Sequence, residues 1–354
     1  MKRFFGSVFS ILSLACSQSV LANDSNWELL KHFASSYEDR FAGSNREHSA
    51  ANWLTKQYEI RGFEVKQYPF SFFHSDRIYR SKNLEVELEG SSEKVLIIGA
   101  HYDSIGKDIG STGFIDNASG VITLLALAKR LKNKDIPFNI RFVSFGAEEL
   151  GLHGSKEYVS SIDVNNNQII GMINLDTVFG GDNLYIHSAH SIPYKCRKKN
   201  APNYSSSTWL RDELLLASKM LTNASSYFLH AATTEYPEGE TGGWSDHAPF
   251  SCIGIPIAHI EATNFDIKGE SGKDGYSQTV NNRFWSCFDS KKMTACDSST
   301  EKLWGRIWHT KFDQERYFSS GFEEHLKLQF NSNIELIEQF VLRNSNKTHI
   351  TKKS

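Results

Sequence analysis

The chain has no basic stripe and no strong excess of either charge. Its 354 residues carry 39 Lys and Arg against 41 Asp and Glu, a formal charge of −2. The cations are scattered, and the only cluster is the short polar tail "NKTHITKKS", which reads as a frayed end. That pattern excludes an electrostatic footprint for nucleic acid. No apolar run is long enough to span a bilayer, which excludes stable membrane insertion through a helix. Internal repeats and long low-complexity linkers are also missing, so one domain over 23–354 is the simplest organisation. Cysteine is scarce, five in all, and no two close Cys or His pairs stand together as a zinc finger requires.

What is present begins at the N-terminus. "MKR" is a basic start, "FFGSVFSILSLA" an apolar stretch, and "VLA" before Asn23 a small-residue cleavage site. Met1 to Ala22 therefore read as a secretory signal peptide, and the expected location is the periplasm or the exterior. Lipoprotein processing at Cys16 competes with this, although "SLAC" carries Ser13 where such sites usually have an aliphatic residue. Cleavage after Ala22 would leave Cys196, Cys252, Cys287 and Cys296, an even number suited to an oxidising compartment. Cys287 and Cys296 enclose the short polar loop "CFDSKKMTAC" and are the expected disulfide, while the connectivity of the other two stays open.

Apolar spacing with Ser or Asn starts and Gly stops predicts two opening helices, in "SNWELLKHFASSYEDRFAG" and "SNREHSAANWLTKQYEIRGFE". Strand-like runs follow at "NLEVELEG", "KVLIIGA", "FNIRFVSFG" and "QIIGMINLD". Between them lie helical patterns at "NASGVITLLALAKRLKN" and near "GSKEYVSSI". Alternating strands and helices imply an α/β fold, a three-layer α/β/α sandwich around a mixed, mostly parallel sheet. The stretch 188–240 reads as an irregular insertion containing one helix, "STWLRDELLLASKMLTN". A strand "IPIAHIEA" follows, then a second insertion over 264–308, and an amphipathic helix "FEEHLKLQFNSNIELIEQFVLRN" closes the chain.

In such sheets ligands sit outside the carboxyl ends of the strands. Four of those ends carry "GAHYD", "GFID", "GAEE" and "NLD", which places His101, Asp103, Asp116, Glu148, Glu149 and Asp176 together, with His309 a later candidate. Each has a plain alternative. Glu148 and Glu149 can be a solvated pair opening a helix, where the helix dipole favours negative charge; Asp116 can cap the following helix; Asp176 can merely end a strand; His101 can be a satisfied half-buried histidine; and His309 can pack against Trp308. As a set, imidazoles and carboxylates without thiolate suit catalytic Zn²⁺, and a carboxylate shared by two ions permits a two-metal hydrolytic site. Co²⁺ and Mn²⁺ suit the same ligand types.

The ordered segments "AHYDS", "GFIDNASG", "SFGAEELGLHGS", "INLD", "SDHAPF" and "WHT" resemble the co-catalytic zinc aminopeptidases of metallopeptidase family 28 over most of the chain. The resemblance implies the zinc-dependent exopeptidase fold, two zinc ions, and peptide or protein N-termini as substrate. Asp116 would be the bridging carboxylate, followed by a cis peptide bond; His101 and Asp176 would complete one metal site, and Glu149 and His309 the other. Asp103 would orient His101, and Glu148 would be the general base beside a ligand. His259 competes with His309, but it lies inside an apolar strand, a core histidine's place. His247 would support the site and Asp246 would lie near the substrate.

The segments "LYIHS", "YPEG", "IEATNF" and "GKDGY" resemble a bacterial periplasmic branch of the family that removes N-terminal arginine. Glu261, Asp266 and Asp274 would then shape a pocket for a basic side chain, by charge pairing; solvated loop carboxylates are the alternative for each. Three rival functions remain. A glutaminyl cyclase resembles the chain at "HYDS" and "DHAPF" but "DNASG" resembles the two-metal enzymes. A non-catalytic binding protein would not need the complete ligand set. Removal of C-terminal acidic residues would need a basic carboxylate-binding cluster, and none is identifiable. The oligomeric state is not legible.

Overall fold

The computed structural model describes residues 25–351, apart from 163–167, 197–202 and 273–277. The proposed signal peptide with its cleavage site, Cys16 and Asp274 lie outside the described residues. Two helices open the chain, α1 over 25–36 and α2 over Asn45–Glu59. Ser44 caps α2, its side chain accepting from the Glu47 N–H, as a Ser-x-x-Glu start predicts.

A nine-stranded sheet forms the centre. Its parallel heart is β4 (Asn139–Phe145), β3 (Val95–His101), β5 (Ile169–Leu175) and β9 (Ile257–Thr263). Every residue of β3 is buried, the mark of a strand covered on both faces. Alternation divides it. Leu96 and Ile98 join the core beneath α3 (Ser119–Leu131) and the long closing helix α7 (Ser320–Thr351). Val95 and Ile97 join a second core with Tyr158 of α4 (His153–Ser161) and Phe250 of α6 (His247–Cys252). On α7 the buried side chains Leu326, Phe330, Ile334 and Ile337 recur three and four residues apart, so one stripe of a long helix covers the sheet. Among the described residues, no helix is long and apolar enough to cross a membrane.

The sheet is wider than the sequence pattern suggests. On one side β1 (Lys66–His74) and β2 (Arg77–Leu88) form an antiparallel hairpin beside β4. Only Phe70 and Phe72 of β1 are buried, so its apolar alternation is faint, and Pro69 marks it as an edge strand lacking one donor. On the other side β6 (Asn183–Ala189) runs antiparallel to β9. β7 (Tyr227–Phe228) and β8 (Glu240–Thr241), both from the stretch read as an irregular insertion, pair with β6. Each is two residues long, too short to show a period. The helix of that stretch is α5, Trp209–Ser218.

Both disulfides are closed. Cys287–Cys296 joins the ends of a small ribbon, β10 (Phe288–Asp289) with β11 (Thr294–Ala295), and Cys196–Cys252 ties the segment after β6 to the end of α6.

Gly181, two residues before β6, packs its backbone against the end of β9. A Cβ there would lie 2.2 Å from Thr263 Cα and 2.3 Å from Thr263 N. Backbone cannot yield as a side-chain tip can, so Gly181→Ala is expected to lower stability by about 1–3 kcal/mol, read as a shift in the urea midpoint. An unchanged midpoint would show that this crossing is not close-packed.

Candidate active site

The turn after β4 explains two adjacent glutamates followed by glycines. Ala147 adopts a left-handed backbone (φ 56°), and the chain then coils back, with the Glu148 carbonyl accepting from Gly151 and Leu152 N–H at 2.8 and 2.7 Å. Asp103, at the end of β3, accepts the Glu148 N–H at 3.0 Å and the Glu149 N–H at 3.1 Å, one on each carboxylate oxygen. A single carboxylate thus sets the direction of both glutamates. Gly154 opens onto this turn; a Cβ there would lie 2.2 Å from the Gly146 carbonyl oxygen.

Asp116 stands at the centre. It sits in an irregular turn, Phe114–Ala118, with a cis peptide bond between Asp116 and Asn117. Its Oδ1 lies 3.2 Å from His101 Nε2, which is also 3.3 Å from Asp176 Oδ1. Its Oδ2 lies 3.0 Å from His309 Nε2, which is also 3.2 Å from Glu149 Oε2. One carboxylate therefore faces two His-plus-acid pairs, one with each oxygen. Glu148 completes a close group with His101 and Asp176, while His101 Nδ1 faces Asp103 Oδ1 at 3.5 Å. Left-handed backbone recurs at Thr177 and His309 as well as Ala147, next to or on these functional positions, where strain of about 1 kcal/mol or more is typically tolerated.

The electrostatics call for cations. Burial, with the Asp116 carboxylate beside it, pushes Glu149 up to about 7. Burial also drives Glu148 well above the carboxylate range, with Asp246, Glu149 and Asp176 adding to it against His101. His309, despite its burial, is pushed up to about 11 by hydrogen bonds to Asp116 and Glu149. Asp116, also against burial, is held far below the usual range by His101 and His309. In this arrangement protons on imidazoles are what balance the acids. Glu149 Oε1 is buried without a hydrogen-bond partner among the described residues. Divalent ions in place of those protons would satisfy the same oxygens and leave the histidines neutral, as ligands must be. The donor set fits divalent metal.

Residues that the sequence pattern did not single out hold this centre in place. Arg40 is fully buried behind it, donating to the carbonyls of Tyr37, Tyr102, Thr112 and Gly113 at 2.7–3.1 Å. Asp313 accepts from the Ile115 N–H at 2.5 Å and the Ser111 hydroxyl at 2.8 Å, fastening the His309 loop to the Asp116 turn. Ser245 donates to Asp176 Oδ2 at 2.6 Å, and Asn174 donates to Ser245 Oγ at 2.8 Å and to His259 Nδ1 at 3.1 Å. Asn174 lies in "INLD", Ser245 opens "SDHAPF" and Asp313 stands four residues beyond His309, whereas Arg40 has no such cue.

A cavity of about 1340 Å³ opens over the centre, lined by His101, Asp116, Glu148, Glu149, Asp176 and His309 and extending to Glu261, Phe265 and Trp244. Glu261 is on its wall, with Oε1 2.8 Å from His187 Nε2. His259 reaches the wall, with its Nδ1 accepting from Asn174; burial, with His247 and His187 near, holds it well below the usual histidine range. His247 is buried off the wall, its Nε2 donating to the Gly242 carbonyl at 2.8 Å. Asp246 and Asp266 depart from the expectation of substrate contact: Asp246 is fully buried beneath the wall, and Asp266 is exposed on a loop outside it.

A sheet with this order and a cluster of imidazoles and carboxylates at its strand ends fit a metal-dependent hydrolase, and the family match below makes it a metallo-aminopeptidase, a hydrolase of peptide bonds. The model of peptidase family M28 matches residues 83–330, and the chain belongs to that family. The alkaline phosphatase isozyme conversion protein of Escherichia coli (strain K12) is 27% identical over 274 residues, covering 70% of this chain and 74% of that protein. A zinc aminopeptidase from Bacillus subtilis has a similar fold, with a TM-score of 0.62 and 16% identity over 91% of this chain and 95% of that one. A glutaminyl cyclase from Porphyromonas gingivalis also shares the fold, with a TM-score of 0.57 and 18% identity over 91% and 98%.

Because Asp103 receives both glutamate N–H groups, Asp103→Asn would point an amide donor at one of them. Activity on an unblocked peptide is expected to fall about 10–100-fold with the circular dichroism spectrum retained. A change within twofold would show that the turn holds without it.

Proposed function

We propose that the protein is an exported two-zinc aminopeptidase that removes the N-terminal residue of peptides or proteins, with a preference for basic residues such as Arg. The observation that carries this is the placement of Asp116, with one oxygen toward His101 and Asp176 and the other toward His309 and Glu149. His101, Asp116 and Asp176 would hold one ion, and Asp116, Glu149 and His309 the other. Bound zinc supplies Lewis-acid polarisation of a carbonyl and lowers the pKa of water to about 7.

Glu148 is left over from that ligand set, and its carboxylate is within reach of the same space. It takes the proton of the attacking water and returns it to the leaving amine. Asp103 keeps His101 oriented and Glu148 aimed. Glu261 on the cavity wall gives a basic side chain an acidic partner. The leader-like first 22 residues and the two disulfides support a periplasmic or secreted location, with the remainder forming one catalytic domain.

The reading predicts two ions per chain by elemental analysis. Glu148→Gln is expected to keep both and to lose activity by about 10²–10⁴-fold, whereas His309→Ala is expected to lose one. Loss of metal with Glu148→Gln, or retained activity, would reverse the two roles. Mass analysis of products should show one residue lost from unblocked peptides but none from N-acetylated ones; loss of ammonia from an N-terminal Gln alone would make it a cyclase.

Glu261→Gln is expected to reduce the ratio of kcat/KM for Arg over Leu at the N-terminus about tenfold. A ratio that does not move would place selectivity elsewhere.

A further inference from the structure

Glu261 lines the cavity with a buried imidazole behind it. Across the antiparallel pair β6 and β9, Tyr185 stands opposite Glu261 and His187 opposite His259. Residues two apart on a strand share a face, and the diagonal brings His187 Nε2 to 2.8 Å from Glu261 Oε1. His187 is fully buried, and neither of its ring nitrogens has another polar partner among the described residues. Glu261 Oε1 is likewise shut off from solvent with no other partner there. The residue still belongs to the cavity wall, so a carboxylate that leans on an imidazole also borders the space a substrate enters.

The surroundings leave this pair to itself. Tyr185 stacks on the His187 ring at 6.0 Å, and Phe265 closes against the two rings at 4.8 and 5.8 Å. Three more imidazoles lie near: His230 at 5.3 Å and His259 at 5.9 Å from His187, and His247 at 4.7 Å from His259. Burial holds His259 well below the usual histidine range and His247 down to about 4, so neither is charged near neutral pH. His230 is taken up by the main chain, its nitrogens 2.8 and 2.7 Å from the Ala231 and Glu240 carbonyl oxygens. The Glu240 carboxylate goes to the Ser191 N–H and to His190, and Asp266 is exposed. Burial raises the Tyr185 phenol further, and Arg211 reaches β6 at Ser188, on the other face of the strand. Of these groups, Glu261 is the acid in contact with His187.

We infer that His187 sets the charge with which Glu261 meets the substrate, so that selection of a basic N-terminal residue is switched by one proton on this pair. With His187 neutral, its Nε2–H donates to the carboxylate and the pair carries one negative charge, which attracts a guanidinium or ammonium group. With one more proton the pair is neutral, and a basic side chain loses its advantage over an apolar one. Basic selectivity is lost as the pH falls through the titration of the pair and returns as it rises. This rests on the aminopeptidase reading, in which Glu261 is the acidic partner of a basic first residue. His187 is a positioning residue that acts through it.

The test is the ratio of kcat/KM for Arg-Gly-Gly over Leu-Gly-Gly with the zinc-loaded enzyme, from about pH 5.5 to about pH 8.5, where histidines titrate. Changes at the metal centre act on both substrates and cancel in the ratio. The native ratio is expected to rise about tenfold across that range. In His187→Gln, a donor that does not titrate, it should stay high throughout, and in Glu261→Gln it should stay low. A native ratio independent of pH overturns the inference, and so does a slope that survives in His187→Gln, which would assign the proton to His230 or to Glu261 itself. If His187→Gln does not fold, His187→Asn decides it by the same slope. Failure of the underlying reading looks different: Glu261→Gln would then leave the native ratio in place at every pH, or no unblocked peptide would be cleaved at all.

Discussion

Burying several carboxylates within a few ångströms of one another is the constraint on which this end of the molecule depends. Carboxylates do not share a dry site unless positive charge or hydrogen bonds compensate them. Here Asp116, Glu148, Glu149 and Asp176 converge on two imidazoles. Around them Arg40 ties together the carbonyls of Tyr102, Thr112 and Gly113, and main-chain N–H groups bind the supporting carboxylates Asp103 and Asp313. The parallel sheet makes the convergence possible, because β3, β4 and β5 end on the same edge and deliver their following residues to one place.

The two glutamates of the turn show how local geometry divides labour. They are adjacent in sequence, and both main-chain N–H groups are held by Asp103, yet their carboxylates go to different partners. Glu149 faces His309 and lies beside Asp116, while Glu148 joins the His101 and Asp176 side. A regular helix starting at that point would have turned both outward; the left-handed residue Ala147 and the tight return to Gly151 prevent it. The solvated-pair reading fails on burial, with Glu148 only 8% exposed and the Glu149 side chain 4%.

The cleft owes its shape to the segments that show least pattern. Residues 228–244 and 264–309 contribute Tyr236, Trp244, Phe265 and His309 to its wall, and the second segment is stiffened by Cys287–Cys296 and by the small core of Ile267, Trp285, Ala295 and Trp304. Asp182 fastens that segment to the sheet, accepting from Asn264, Thr279 and Val280. Loops that build a binding wall are free of the periodicity a core strand or helix must keep, since nothing requires every second or fourth residue to be apolar.

The sequence by itself determined the parallel heart of the sheet and the principal helices, because burial on two faces forces continuous apolar strands and one-sided burial forces a helical stripe. It also determined the chemistry at the strand ends, because polar side chains following apolar β-strands have few structural reasons to be there together. Tertiary structure alone decided the edges: β1, of which only Phe70 and Phe72 are buried, β6, whose partner β9 lies far along the chain, and β7 and β8, which are two residues long. It alone brought His309 to Asp116, since that approach depends on how a segment of more than forty residues folds back. It also separated Glu261 from Asp246 and Asp266: three acids of equal promise in the sequence have unequal access to the cavity. The physical reason is the same throughout. Periodicity reports which side of an element is buried, whereas a site is made by distances between elements, and those are fixed only when the chain has packed.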